Sequence, residues 1–254
     1  MLKLFRKIRR KMIADKKIGN YLLYAIGEIV LVVIGILIAL AINNNNEDRI
    51  KRDKEQVYLM GLRDEFGTSK TKLEELIRVN RESYEAATQI AILMDQPGEP
   101  SEEKLSELFV TAFAYDIFFN ANNSLLNEMI NSGSLKDISN DTLRIQLTNW
   151  ISTIDDVANQ EKMLSEQRSN TVNAFRDGGH SIRTILDNTG MASQLGIPMG
   201  KKPVSNLSAL QSIAFENNIL LFIITGQATE MAHYIPLMEN LNSILELIES
   251  EIKE

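Results

Sequence analysis

Cysteine is absent from the 254-residue chain, which excludes a disulfide scaffold, a thiol nucleophile and every cysteine-ligated metal site. Only two histidines are present, His180 and His233, and neither belongs to an H-E-x-x-H pattern or a histidine–carboxylate cluster. Five prolines and 13 glycines exclude collagen-like and low-complexity chains. No G-x-S-x-G, P-loop or G-x-G-x-x-G sequence occurs. We therefore predict a protein that is not an enzyme and holds neither a metal nor another cofactor.

Charge is distributed unevenly along the chain. Residues 1–17 carry eight Lys and Arg against Asp15 alone, a net of +7. Residues 43–254 carry 19 Lys and Arg against 32 Asp and Glu, a net of −13. A polyanion would be repelled by the larger part, and the basic part is short, so nucleic acid is not an expected partner.

An apolar run extends from Tyr21 to Ile42, with Glu28 as its only charged residue. As a helix its 22 residues would span roughly 33 Å, about the hydrocarbon thickness of a bilayer. Its Leu, Ile and Val residues contribute about −7 kcal/mol to insertion, whereas an acid near the centre costs about 3 kcal/mol. A cleaved signal peptide with Ala39-Leu40-Ala41 as its cleavage site is the alternative, but the run is long for that role. We predict an uncleaved transmembrane helix over residues 21–42.

The basic arm, residues 1–20, sets the expected orientation. Lys and Arg favour the cytoplasmic side, so residues 43–254 are expected in the periplasm and the span in the bacterial inner membrane. Apolar residues recur between the basic ones at helical spacing, which is typical of a helix lying on anionic lipid headgroups. The residues expected at that membrane surface are Lys3, Arg6, Lys7, Arg9, Arg10 and Lys11.

Glu28 is the main functional candidate within the predicted span. An ionisable residue at this depth is expected to be protonated, to reach a partner subunit or to contact another membrane protein; alternatively it snorkels toward the cytoplasmic face beside Tyr24. Gly27, Gly35 and Ala39 form a stripe of small residues that permits close helix contact. We predict a homo-oligomer through this stripe, with Glu28 at the interface.

The periplasmic part shows helical periodicity and no alternation typical of strands. From Glu47 to Met94, apolar residues follow a heptad pattern typical of coiled-coil packing, interrupted at Ser69, Asn80 and Ser83. This predicts a long stalk helix, broken by the sequence Gln96-Pro97-Gly98-Glu99-Pro100. The two apolar positions of the heptads are occupied by Leu59, Phe66, Leu73, Ala87 and Met94 and by Leu62, Leu76 and Ile90.

Further helices are predicted by caps and periodicity. Ser101 begins a helix in the style of a capping box, Gly133 ends another, and Ser139 or Asn140 caps a long one that stops at the Gly178-Gly179 break. Residues 187–206 are predicted to be the longest loop, and a further helix is expected from about Leu207. The last helix repeats apolar residues at spacings of four and three and is expected to pack on the stalk helix: Tyr234, Met238, Leu241, Leu245, Ile248 and Ile252.

The fold class is thus all-α, one transmembrane helix followed by a bundle of five to seven helices. The acid pairs Glu102-Glu103 and Asp155-Asp156 are expected on the solvated surface.

Two stretches resemble an uncharacterised family of small bacterial membrane proteins, a domain of unknown function common in Bacteroidota. The first is Tyr24 to Leu40 followed by Ile42-Asn43-Asn44; the second runs from Ser132-Gly133-Ser134-Leu135 to Leu143-Arg144. The resemblance implies a single-pass anchor and a helical outer domain. It implies no activity.

Three functions follow as hypotheses. The first is a non-catalytic scaffold or partner-binding protein of the inner membrane, in contact with itself or with another inner-membrane or periplasmic protein. The alternative is an accessory subunit of a transport, secretion or proton-driven motor complex that uses Glu28, by analogy of layout alone. A periplasmic sensor is disfavoured, because about 20 cytoplasmic residues cannot hold a signalling output.

Overall fold

The computed structural model describes residues 18–96, 98 and 100–253, and every regular element in them is helical. This confirms the predicted all-α class. The predicted membrane-surface residues Lys3 to Lys11 lie outside the described residues. In chain order the α-helices are α1 (Ile18–Asp95), α2 (Glu102–Phe113), α3 (Ser124–Ser132), α4 (Asp141–Asp177), α5 (Ile182–Asn188), α6 (Met191–Gln194), α7 (Ile213–Thr229) and α8 (Ile235–Glu251). Two 3₁₀ helices, Ser134–Asp137 and Leu207–Gln211, and a π-helical turn, Glu230–Tyr234, complete the set.

The described residues divide into two compact units, one ending at Glu55 and the other beginning at Gln56. In the first unit, α1 carries the apolar run, and its large side chains between Leu22 and Ile42 are exposed. Among the described helices, α1 is the one long and apolar enough to cross a membrane. Contact between an apolar surface of this extent and water is unfavourable, which is the physical reason to expect a bilayer around this part of α1.

The second unit is a helical bundle with two apolar clusters. In the first, the part of α1 near Phe66 packs with α3, the first half of α4 and α8. In the second, the end of α1 near Ile90 packs with α2, α5, α7 and the end of α4. Phe66 and Trp150 centre the first cluster, with ring centroids 5.1 Å apart. The heptad positions predicted for α1 supply much of both clusters, because residues at that spacing share one face of a helix.

Most predicted caps are confirmed. Ser101 accepts a hydrogen bond from the Lys104 amide, and Gly133 adopts the left-handed conformation that ends α3, with φ 71°. Of the two candidates for the cap of α4, Asn140 is the one used, since its side chain accepts from the Leu143 amide. The helix α4 then ends at Asp177, as the Gly178-Gly179 break predicts.

Three expectations need correction. The loop predicted over residues 187–206 is shorter, because Ser181 caps α5 and α6 follows at once. The helix expected from about Leu207 begins at Ile213, after a 3₁₀ helix, because Ser212 provides the cap. Between Tyr234 and Ile252 the fully buried residues are Tyr234, Leu237, Leu241, Ile244 and Ile248, whereas Met238, Leu245 and Ile252 lie partly buried at the edge of the cluster.

Packing of the last helix against α1 is confirmed. The Gln56 side chain donates to the Glu251 carbonyl at 2.9 Å and accepts from the Lys253 amide at 2.9 Å. Arg63 also lies 3.9 Å from Glu249. These contacts place the end of α8 beside the first turns of α1 in the second unit.

Candidate functional site

The predicted span residues lie together on α1. Glu28 is seven residues from Gly35 and eleven from Ala39, so helical geometry places Gly35 and Ala39 each within roughly 20° of Glu28 around the helix, on opposite sides of it. Gly27 lies roughly 100° from Glu28 around the helix, outside this face. A Cβ atom added at Gly27 or Gly35 would meet no atom within 4 Å in the described residues, so both glycines leave open surface. The role of these residues in helix contact stays a prediction.

The most distinctive feature of the second unit is the non-helical segment 114–123 between α2 and α3, hereafter the crossing linker. A segment without helical hydrogen bonds must satisfy its backbone groups elsewhere. It does so with polar side chains of α1 and α4, several of them buried. The linker is thus held against two helices at several points along its length.

Glu65 of α1 caps the helix that follows the linker. Asn123 precedes α3 without a side-chain cap of its own. Instead the buried Glu65 carboxylate accepts from the Leu125 amide at 2.7 Å and from the Leu126 amide at 3.3 Å. A carboxylate at a helix N-terminus satisfies orphan amides and complements the helix dipole. One acid of α1 therefore fixes where α3 begins.

Neighbouring side chains hold the linker itself. The buried Ser69 hydroxyl accepts from the Asn122 amide at 2.8 Å, and the Lys72 ammonium donates to the Asn120 carbonyl at 3.0 Å. The Trp150 indole N–H donates to the Asn123 side chain at 2.9 Å. In the sequence, Ser69 interrupts the apolar heptad positions of α1. In the structure, its hydroxyl is a hydrogen-bond partner of the linker backbone.

Glu161 of α4 is the most enclosed of these acids, with 2% of its surface exposed. Its carboxylate accepts from the Phe119 amide at 2.8 Å and from the Tyr234 hydroxyl at 2.9 Å. Burial raises the pKa of Glu161, although both hydrogen bonds oppose the rise. Burial and the neighbouring Glu161 likewise raise the pKa of Tyr234. This pair connects the linker to the C-terminal part of the chain.

The π-helical turn between α7 and α8 carries another buried acid, Glu230. Glu230 forms an ion pair with Arg81 of α1, with the Arg81 Nε atom 3.1 Å from its Oε1. Asn80, next to Arg81, donates to the Gly226 carbonyl at 3.0 Å. π-Helical turns often occur at functional sites. In this protein the turn places Glu230 against Arg81 of α1 and Tyr234 against Glu161 of α4.

Two aromatic side chains of the linker point away from these contacts. Tyr115 is 68% exposed and Phe118 is 52% exposed. Phe118 also lines a cleft of about 310 Å³ with Lys72, Glu75 and Val79. Large exposed aromatic side chains on a segment that is held in place are typical of protein-binding surfaces. The cleft is small and open, so the arrangement suits an anchoring side chain of a partner better than an enclosed ligand.

The chemistry of these groups is structural. Glu65 and Glu161 accept backbone amides, and Glu230 pairs with a guanidinium, so all three carboxylates are engaged in holding the fold. No group of three metal-ligating side chains lies within the described residues. His180 packs against Phe175 in a tilted arrangement with ring centroids 5.0 Å apart, and burial lowers the pKa of His180. The absence of enzymatic activity stays a prediction.

Sequence reasoning did not identify Glu65, Glu161 or Glu230. Each has a charged side chain on a helix, and such residues are usually solvated. Of the acid pairs expected on the surface, Glu103, Asp155 and Asp156 are exposed, whereas Glu102 is half-buried. The Glu102 carboxylate accepts from the Asn206 amide at 2.8 Å and from the Ser205 hydroxyl at 2.7 Å. A buried acid could have been recognised where it occupies a position of the apolar helix face. Glu161 is such a residue, because it lies on the same face as Val157 and Leu164.

Comparison with known proteins places the chain in a family. The sequence model of a family of unknown function, DUF6090, matches residues 28–185, which is more than half of the chain. The chain belongs to this family. No curated protein and no solved structure matches it. The DUF6090 match contains Glu28, the crossing linker and Glu161, and it ends before Tyr234. The family carries no assigned function; the membrane topology and bacterial distribution implied by the resemblance stay predictions.

Proposed function

We propose that the protein is a single-pass protein of the bacterial inner membrane whose periplasmic helical domain is a non-catalytic scaffold that binds a partner protein. The N-terminal arm lies in the cytoplasm and residues 43–254 in the periplasm. The exposed apolar side chains of α1 between Leu22 and Ile42 support the membrane anchor. The charge difference across the span, +7 against −13, supports the orientation.

One observation carries the partner-binding role: Tyr115 and Phe118 are exposed on a linker whose backbone is fixed by Ser69 and Glu161. Aromatic anchors that are already ordered lose little conformational entropy on binding. Asp116 lies between them and Glu75 lines the adjoining cleft. The expected partner is a protein segment that presents an apolar side chain beside basic residues, since the surrounding domain is strongly acidic.

The test is affinity purification of the full-length protein from its own cells in mild detergent, followed by mass spectrometry. A partner in stoichiometric amount should be recovered with the wild type and lost with the variant Tyr115→Ala/Phe118→Ala. Met199→Ala is the matched control, because Met199 is 77% exposed and lies on the loop between α6 and α7. Equal recovery from all three proteins would place the partner surface elsewhere, and recovery of the protein alone would contradict partner binding.

A second candidate function rests on Glu28. It is the only charged residue of the apolar run, and it shares a helix face with Gly35 and Ala39. This arrangement supports an accessory subunit of a transport, secretion or proton-driven motor complex in which the carboxyl carries a proton. A stoichiometric transporter, secretion or motor protein in the same purification would favour this candidate over the scaffold.

A further inference from the structure

The helix α7 is apolar on both sides. Its inward side packs through Phe215, Ile219 and Phe222, which are all buried. Its outward side, continued into the π-helical turn, is formed by Ile213, Ala214, Asn217, Leu220, Leu221, Ile224, Gln227, Ala228 and Met231. None of these nine residues is charged. A helix that is apolar all round is normally covered on all sides, so this outward side, hereafter the α7 face, requires an explanation.

The α7 face is large enough for a specific contact. Ile213 is 72% exposed, Ile224 62% and Met231 67%. With Leu220 and Leu221, the large side chains expose on the order of 500 Å², the upper part of the range of the largest patch on an ordinary monomer. A stable interface needs about 800 Å² from each partner, and side chains beside the face can supply the remainder.

Charge restricts what can cover the face. The outward residues of α8 include Glu239, Glu246 and Glu249, and those of α4 include Asp155 and Asp156. A second copy of this acidic domain would be repelled at such surfaces, but not at the uncharged α7 face. A lipid surface fits poorly, because helices that lie on membranes carry Lys and Arg beside their apolar side. α7 contains neither residue, and Glu216 is its one charged residue.

The order of side chains along the face is complementary to itself. A two-fold axis between Leu221 and Ile224 would set these two residues opposite each other in antiparallel copies. The same axis sets Met231 opposite Ala214 and Asn217 opposite Ala228. Two large apolar side chains then meet at the axis and a larger side chain meets alanine in the outer pairs, with the spacings of three and four that helix pairs use.

We propose that the α7 face is a self-association surface, where α7 of one protomer packs antiparallel on α7 of a second copy about a two-fold axis. This contact is separate from helix association in the membrane. It goes beyond the partner-binding role of the crossing linker, since the linker residues Tyr115 and Phe118 take no part in it.

The absence of cysteine makes the test direct. Ile224→Cys is introduced into the full-length protein, and membranes are treated with a mild oxidant. Most of this variant should migrate as a disulfide-linked dimer on non-reducing gels, because Ile224 lies beside the axis. Ile145→Cys is the matched control, because Ile145 lies on α4 and is 61% exposed. This variant should remain monomeric on the same gels. The dimer should persist when Gly35→Ile is added, which separates this contact from any in the span.

Other outcomes overturn the proposal. If Ile224→Cys remains monomeric and reacts readily with a water-soluble thiol reagent, the face is uncovered. If it is protected from that reagent in membranes but exposed once detergent is added, lipid covers it. A mixed disulfide with a different protein would assign the face to another partner. As a second variant, Leu221→Glu/Ile224→Glu in the Gly35→Ile background should be monomeric by light scattering in detergent, while the Gly35→Ile parent should be dimeric. A dimer in the glutamate variant would also overturn the proposal.

Discussion

The Tyr234 hydroxyl donates a 2.9 Å hydrogen bond to the Glu161 carboxylate inside the bundle, across 73 residues of sequence. Glu161 also accepts the Phe119 amide, so one carboxylate joins three separate parts of the chain. Removing the Tyr234 hydroxyl leaves a buried charge with one partner fewer. Tyr234→Phe should therefore lower the free energy of unfolding by about 1.5–3 kcal/mol in urea denaturation.

The pH dependence of stability follows from the raised pKa of Glu161. A carboxyl with a folded-state pKa above the ordinary value of 4.5 holds its proton more tightly in the folded state. Its contribution is fully present below pH 4.5 and is lost as pH rises through the raised pKa. Glu161→Gln should flatten this decline in the unfolding free energy. An unchanged pH profile for the variant would show that Glu161 does not titrate in this range.

Glu65 is expected to control the linker and α3. Glu65→Ala leaves the Leu125 and Leu126 amides without their acceptor and should cost about 1–3 kcal/mol. Hydrogen exchange should accelerate at those two amides before the rest of the bundle opens. Asp64→Ala is the control, because the Asp64 side chain is 76% exposed, and it should change stability by less than about 0.5 kcal/mol.

Two glycines of α1 should respond differently to substitution. At Gly67 an added Cβ meets no atom within 4 Å in the described residues, so Gly67→Ala should stabilise the helix by about 1 kcal/mol. At Gly61 it would lie 2.5 Å from Leu125 Cδ2. Gly61→Ala must displace Leu125, so thermal denaturation should show less stabilisation than for Gly67→Ala, or a net loss. Equal gains for both variants would contradict the close approach.

These examples show what the sequence could predict. Apolar periodicity and caps gave the helical class, the long α1 and the boundaries at Ser101, Gly133 and Asp177, because both signals are local. The acids Glu65, Glu161 and Glu230 could not be assigned, because the groups that donate to them lie 60 or more residues away or on a segment without periodicity, such as residues 114–123. The fully buried Leu237 and Ile244 were missed because the apolar residues of α8 fit two heptad patterns, one with Leu237 and Ile244 and one with Met238 and Leu245.

Topology is expected to be N-in and C-out, as the charge distribution predicts. Alkaline phosphatase fused after Glu254 should be active, whereas a fluorescent protein that matures only in the cytoplasm should be dark at the same site. Fluorescence without phosphatase activity would reverse the assignment.

Association in the span is tested by Gly35→Ile and Glu28→Gln in the full-length protein. Gly35→Ile should block close helix approach and weaken crosslinked oligomers at the span. Glu28→Gln can still donate a hydrogen bond, worth about 1 kcal/mol across helices, and should preserve them. If Gly35→Ile has no effect, the span is not an interface. If Glu28→Gln keeps the oligomer but abolishes a cellular phenotype, the proton on Glu28 is required, and the motor-accessory candidate replaces the scaffold.

The contact between Glu161 and Tyr234 also has a consequence for the order of folding. Synthesis begins at the N-terminus, so Glu65 is available before α3 emerges and can fix its start at once. Glu161 can accept the Tyr234 hydroxyl, and Gln56 the Lys253 amide, only after the region of α8 has been synthesised. We expect α8 to dock after the other helices of the described bundle, and a chain truncated before Glu230 to leave Glu161 exposed to water and the bundle open.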